Sequence, residues 1–214
     1  GYIIFGFDHP VINKHGYDVK IYGNAMQSAA VTDMQGGSCE PGIIMVGVDV
    51  DKNGVPSDGD KWYEIKGADY DRCQHGFEVT YFKPDENKER VPHESWGFIS
   101  DTTYVAWVSN DPDLATGYVW RNTFHNQPYW PLWKEDTVFT FRGTRLPNTS
   151  IDMSGGKGNN WFQPFFGEGY VDNLPNNREP GFMIDWAIDE DGNPVQLDHI
   201  DFIKVYSAQL DYCG

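Results

Sequence analysis

The stretch Gly42–Lys66, GIIMVGVDVDKNGVPSDGDKWYEIK, decides how this chain folds. Its first part, GIIMVGV, is a continuous apolar run rich in β-branched residues, and its last part, KWYEIK, mixes aromatic, apolar and charged residues; both read as strands. Between them Asp49, Asp51 and Asn53 alternate, Gly54 follows, and Asp58 and Asp60 close the loop. Such an order offers hard oxygen ligands at the first, third and fifth places, a turn-forming glycine at the sixth, the Val55 carbonyl at the seventh and Asp60 at the twelfth. The flanking strands, and Asp where a bidentate Glu is usual, separate this loop from an EF-hand. Asp49, Asp51, Asn53, Val55 and Asp60 are therefore expected to hold a structural calcium ion. The alternative is a plain acidic hairpin loop, because Asp, Asn, Gly and Pro are also ordinary turn residues.

Outward from this hairpin, strand-like segments recur: YIIFGF, DVKIYG, GFEVTYF, TYVAWVS, TVFTFRG, GFMIDWAI and IDFIKVYS. Nowhere does a capped run with a 3.6-residue apolar period support more than short helical turns. Turn clusters such as KPDENK, SNDPDL and DEDGN separate the strands, and the absence of crossover helices favours antiparallel pairing. The predicted fold is all-β, a two-sheet antiparallel β-sandwich of jelly-roll type with long loops. DEDGN, Asp189 to Asn193, reads as a hairpin turn with Gly192 at positive φ. No linker, repeat or low-complexity tract interrupts the sequence, so residues 1–214 are expected to form a single β-sandwich ligand-binding domain.

A formal charge of -16 argues against nucleic acid as a partner, since phosphate binding needs clustered Lys and Arg. No apolar run reaches the roughly 18 residues that a membrane-spanning helix requires. The sequence opens directly on strand-like GYIIFGF, so any secretion signal or lipid anchor is expected outside it. Cys39, Cys73 and Cys213 match no zinc or redox spacing and allow at most one intrachain disulfide.

Asn122–Trp133, NTFHNQPYWPLW, sets Phe124, His125, Tyr129, Trp130 and Trp133 around two prolines and the amides Asn126 and Gln127. Ring faces with neighbouring amides suit a flat or ring-shaped polar ligand, because the rings give apolar contact and the amides fix orientation. Trp120, His125, Asn126, Gln127, Tyr129, Trp130 and Trp161 are the candidate ligand-binding residues, whereas Trp133 is expected to fold back onto the sandwich. Trp161 and Phe162 follow a Gly-rich turn and would join the same mouth if the loops meet. The histidines form no HExxH or HxH pattern, and no serine sits in a GxSxG elbow, so zinc and serine-nucleophile catalysis lack support. Glu40, Glu64 and Asp185 stand in strand-like surroundings and leave a glycosidase carboxylate pair open as an alternative.

From GFDHPVINKHGYDVKIYGNA through EPGIIMVGVD, KWYEI, FHNQPYWP, FRGTRLP and GYVDN to WAIDEDGNPVQLDHIDFIKVY, the chain resembles a family of Bacteroidetes cell-surface proteins. Members are often found as the C-terminal part of lipoproteins with PKD-like domains, and some are encoded beside vitamin B12 transport genes. The resemblance implies capture rather than catalysis: a lipoprotein, or part of one, on the extracellular face of the outer membrane. Its expected ligand is a corrinoid such as cobalamin, handed to an outer-membrane TonB-dependent transporter. A calcium-containing carbohydrate-binding module that takes a glycan is the alternative. The family's D-x-N-G-N-G loop before W-Y-E-L matches Asp49 to Gly54 and Trp62, Tyr63 and Glu64. By analogy with calcium-containing jelly-roll modules, Asp8 and Asp201 are candidates for a second ion. QSAAVTDMQGGSCE, residues 27–40, departs from the family as an insertion, which would shift ligand specificity.

Overall fold

A computed structural model describes residues 1–57, 59–158 and 160–210. Asp58 of the acidic loop and Cys213 lie outside the described residues. The chain divides into two compact units, one formed by Gly1–Cys73 with the stretch from Arg145 onward, the other by Gln74–Thr144.

In chain order the strands are β1 (Tyr2–Ile12), β2 (Met26–Gln27), β3 (Gly36–Ser38), β4 (Gly42–Val48) and β5 (Lys61–Ile65). The smaller unit contributes β6 (Gln74–Phe82), β7 (Ile99–Ser109) and β8 (Thr116–Asn122), and β9 (Val138–Arg145) runs to its end. The remaining strands are β10 (Ile151–Asp152), β11 (Trp161–Pro164), β12 (Ala187–Ile188) and β13 (His199–Ser207). Helix among the described residues is limited to single 3₁₀ turns at Tyr70–Arg72, Pro112–Leu114 and Ile184–Trp186. The all-β, antiparallel, sandwich-type architecture expected from the sequence is what the chain adopts. Its sheets run β1-β13-β4-β5-β12 and β10-β11-β3-β2 in the larger unit and β8-β7-β6-β9 in the smaller, none of them closed into a barrel.

β4 explains why GIIMVGV is apolar throughout. It pairs with β13 on one side and β5 on the other, and both of its faces are covered. Ile44 and Val46 pack with Ile65, Phe182, Ile184, Ile200 and Ile203 on one face, while Ile43 meets Leu146, Phe166, Tyr170 and Ala208 on the other. Each such side chain contributes about 1.5–3 kcal/mol by leaving water, so this strand organises two apolar clusters at once.

Two expected strands differ. Among the described residues DVKIYG forms a single bridge, Val19 to Phe182. Side chains satisfy its surroundings instead: Asp18 accepts N–H bonds from Lys14 at 2.8 Å and Ile184 at 2.9 Å, and Asn176 Oδ1 accepts from Gly23 at 3.0 Å. GFMIDWAI breaks into the bridge at Phe182, the turn at Ile184–Trp186 and the two residues of β12, because that path buries Phe182, Ile184 and Ala187 together. The Asp189–Asn193 turn is the hairpin connection expected, with Gly192 at φ 80° and the Asp189 N–H donating to Asn193 O at 3.0 Å.

Candidate functional site

In the smaller unit the segment after β8 is held from beneath by the sheet. Arg121 on β8 donates to Glu86 at 2.7 Å and to the Asn126 carbonyl at 3.0 Å, and its guanidinium lies 4.6 Å from the centre of the Tyr104 ring. Tyr104 on β7 donates its hydroxyl to Glu86 and accepts the Tyr129 N–H at 3.3 Å, while the Tyr129 hydroxyl accepts the Asn122 N–H at 3.1 Å. Partial desolvation raises the Glu86 carboxyl, but the Tyr104 hydroxyl and Arg121 outweigh it and hold its pKa below the ordinary value.

This framework sorts the rings of the segment. Trp130 is buried, 7% exposed, against Tyr104 and Val105, and its indole N–H finds no acceptor among the described residues. Tyr129 is half-buried and engaged with Tyr104 edge to face, with ring centres 5.2 Å apart. Trp133, expected to fold back, instead stands 77% exposed, and Phe124 is 72% exposed. Arg121 holds the segment at Asn126, and Trp130, not Trp133, packs in the core. His125, Asn126 and Gln127 are exposed, with the His125 N–H bonded to Asn122 Oδ1 at 3.1 Å.

Beside these residues runs a stack of rings only partly foreseen. His93 stacks on Trp96 at 4.4 Å, Trp96 on Phe98 at 6.1 Å, and Phe98 on the exposed Phe124 at 5.7 Å. Trp120 on β8 closes the group, 5.4 Å from His93 and 6.0 Å from Trp96. The spacing His93-x-x-Trp96-x-Phe98 in a turn-rich stretch was the available signal. The loop carrying it is anchored by Asp101, 1% exposed, which pairs with Lys88 at 3.2 Å and accepts the N–H groups of Val91 and Thr103. Burial raises the Asp101 carboxyl, yet the Thr103 and Val91 donors and Lys88 bring its pKa below the ordinary value.

Trp161 belongs to the larger unit, where it lines a cavity of about 400 Å³. Met26, Gln27, Ser28, Ala30 and Val31 supply one part of its lining, and Met153, Asn160, Trp161 and Phe162 another. Residues 27–38 thus contribute one wall. Gly37 is essential to that wall, since a side chain there would come within 2.1 Å of the Met26 carbonyl. The Trp161 indole N–H donates to Gly158 O at 3.0 Å, which fixes the ring.

The acidic loop of the same unit gathers ligand oxygens of Asp49, Asp51 and Asp60 within 4.8 Å of one another. The loop also satisfies itself: Asp49 accepts from Gly54 N–H at 2.8 Å, Asp51 from Asn53 Nδ2 at 2.9 Å and Ser57 Oγ at 3.1 Å, and Asp60 from Ser57 N–H at 2.7 Å. Asn53 Oδ1 accepts the Val55 N–H at 2.8 Å. Desolvation raises the Asp49 carboxyl, but the Gly54 and Asn53 N–H groups win and lower its pKa. Asp201 on β13 accepts the Asp49 N–H at 2.9 Å and so ties the loop to the sheet. Across the β1–β13 pairing the register slips between Gly6 and Val11, which sets Asp8 in a bulge, bonded to His9 at 2.5 Å.

Comparison with known proteins finds no matching family model and no matching curated protein.

Of the carboxylates considered for hydrolysis, only Glu64 sits in a strand. Glu40 is exposed outside the strands, and Asp185 is exposed in a 3₁₀ turn, bonded to Asn13 at 2.7 Å and His15 at 3.0 Å. Among the described residues no disulfide joins Cys39 to Cys73; burial pushes the Cys73 thiol up to about 11, which keeps it protonated and unreactive near neutrality.

Proposed function

We propose that this chain is a non-catalytic capture domain of the bacterial cell surface, taking a ring-bearing nutrient at the aromatic surface of residues 74–144. A corrinoid such as cobalamin is the favoured ligand, passed on to an outer-membrane transporter. The observation that carries this reading is the stack from His93 to Phe124, which ends in a solvent-facing ring with Trp133 exposed further along the same segment. Exposed rings of this size expose apolar area to water that a flat ligand would cover. Asn126 and Gln127, also exposed, supply amides for the ligand's polar edge.

A glycan is the second reading, favoured by Trp133, whose exposed indole suits a pyranose face. In both readings calcium is structural: three carboxylate oxygens within 4.8 Å form a hard donor set of the kind Ca²⁺ accepts. The deciding experiment is isothermal titration calorimetry of the chain with cyanocobalamin, in calcium buffer and after chelation, beside a glycan array. Micromolar or tighter corrinoid binding, lost in Phe124→Ala with Trp133→Ala, supports the first reading. No heat with cyanocobalamin and a glycan hit that the same double variant abolishes would replace it with the second.

A further inference from the structure

The cavity in the larger unit lies outside the surface just proposed and has its own chemistry. Its apolar lining comes from Met26, Ala30, Val31, Met153, Trp161 and Phe162, and its polar groups are the neutral side chains of Gln27, Ser28, Ser38 and Asn160. None of the described lining residues carries a charge, in a chain whose net charge is -16. An anion would enter against the field of the whole protein with no cationic side chain in the lining, and a cation would find no carboxylate there. A sugar would find only four neutral polar side chains for its hydroxyls, set among methionine, valine and aromatic surface that matches none of them. Thioethers beside aromatic rings suit a flat aromatic guest, because sulfur–ring contacts are favourable and methionine adapts its shape.

We infer that this cavity is a second binding site, for a small uncharged aromatic ring with a few hydrogen-bonding atoms on its edge. The volume of about 400 Å³ is near the lower end of the roughly 300–1,000 Å³ usual for ligand pockets, enough for a one- or two-ring molecule. Trp161 arrives with its own N–H already bonded to Gly158 O, so the indole offers an apolar surface without a donor that needs satisfying. Gln27 is likewise held in place, its side-chain oxygen accepting from Arg178 at 3.2 Å. Met26 and Met153 are both exposed and supply apolar area that an occupant would cover.

The test is ligand-observed saturation-transfer NMR on the whole chain at mildly alkaline pH, with three probes: quinoline, benzoate and methyl β-glucopyranoside. Quinoline is expected to receive saturation from the protein, the other two far less. Trp161→Ala should weaken the quinoline signal about tenfold. Ala30→Phe, at an exposed position where folding is not at stake, should do the same by occupying the space. The paired variant Phe124→Ala, Trp133→Ala should leave it unchanged. Equal transfer to benzoate, stronger transfer to the glucoside, or a quinoline signal that survives Ala30→Phe would each overturn the assignment, as would one abolished by the paired variant. Because the variants sit in different units, failure of this site and failure of corrinoid capture give different patterns.

Discussion

The acidic loop at Asp49–Asp60 and the aromatic segment at Asn122–Trp133 are both irregular and rich in functional groups, yet different interactions shape them. The acidic loop is made mostly by its own residues, with Asp49, Asp51, Asn53 and Asp60 accepting N–H groups within a few positions along the chain. The aromatic segment depends on groups far away in sequence, chiefly Glu86 and Tyr104, joined to it through Arg121. A locally bonded loop can be read from its sequence because the donors and acceptors are neighbours in the chain. A segment held by distant side chains cannot: its sequence predicts Trp133 folded back, and the structure leaves that ring exposed.

This contrast can be broken most forcefully at Arg121. Arg121→Ala removes the cation hydrogen-bonded to Glu86 and releases the Asn126 carbonyl, and should cost about 3 kcal/mol of stability in denaturant unfolding. A loss below half of that would show that the segment holds itself. Asp101→Asn probes the neighbouring anchor, with about 2 kcal/mol expected from a buried carboxylate that pairs with Lys88. Because the Asp101 pKa is depressed in the folded state, its contribution is present above the ordinary value of 3.8 and disappears as the pH falls through the lower folded value. The asparagine variant should therefore show a shallower acid-unfolding curve than the parent.

Smaller effects are expected at the acidic loop. Calcium at tenfold excess over its dissociation constant should stabilise the chain by about 1.4 kcal/mol, measured as a rise in Tm that Asp51→Asn removes. An unchanged Tm in calcium would identify the loop as a hairpin connection sufficient in itself. The smallest change is predicted for Phe124→Ala and Trp133→Ala. Both rings are exposed, so stability should move by no more than about 0.5 kcal/mol while ligand affinity falls. A large loss of stability would place these rings in the framework instead of the binding surface.

Strand positions were legible wherever one stretch of chain contained its own pattern. GIIMVGV, KWYEIK, GFEVTYF and IDFIKVYS all became strands close to their expected limits. β8, Thr116–Asn122, was not foreseen, because its Gly117 and Arg121 dilute the pattern. Gly117 is small for a cause, since a side chain there would meet the Trp107 ring at 2.2 Å, and Arg121 is buried by an ion pair rather than by apolar character. The cavity was invisible as a cavity. Met26 and Met153 lie far apart in sequence, and the sheet order β10-β11-β3-β2 brings their neighbourhoods together.

By itself, the sequence determined the all-β class, the strand-loop-strand hairpin around Asp49–Asp60 and the turn at Gly192, because period-2 patterning, Asx bonding and glycine's access to positive φ act over a few residues. Tertiary structure alone decided which tryptophan is buried, which rings stack on Phe124 and that residues 27–38 line a cavity beside Trp161. Those outcomes depend on packing and ion pairing between residues distant in the chain, whose positions no local pattern encodes.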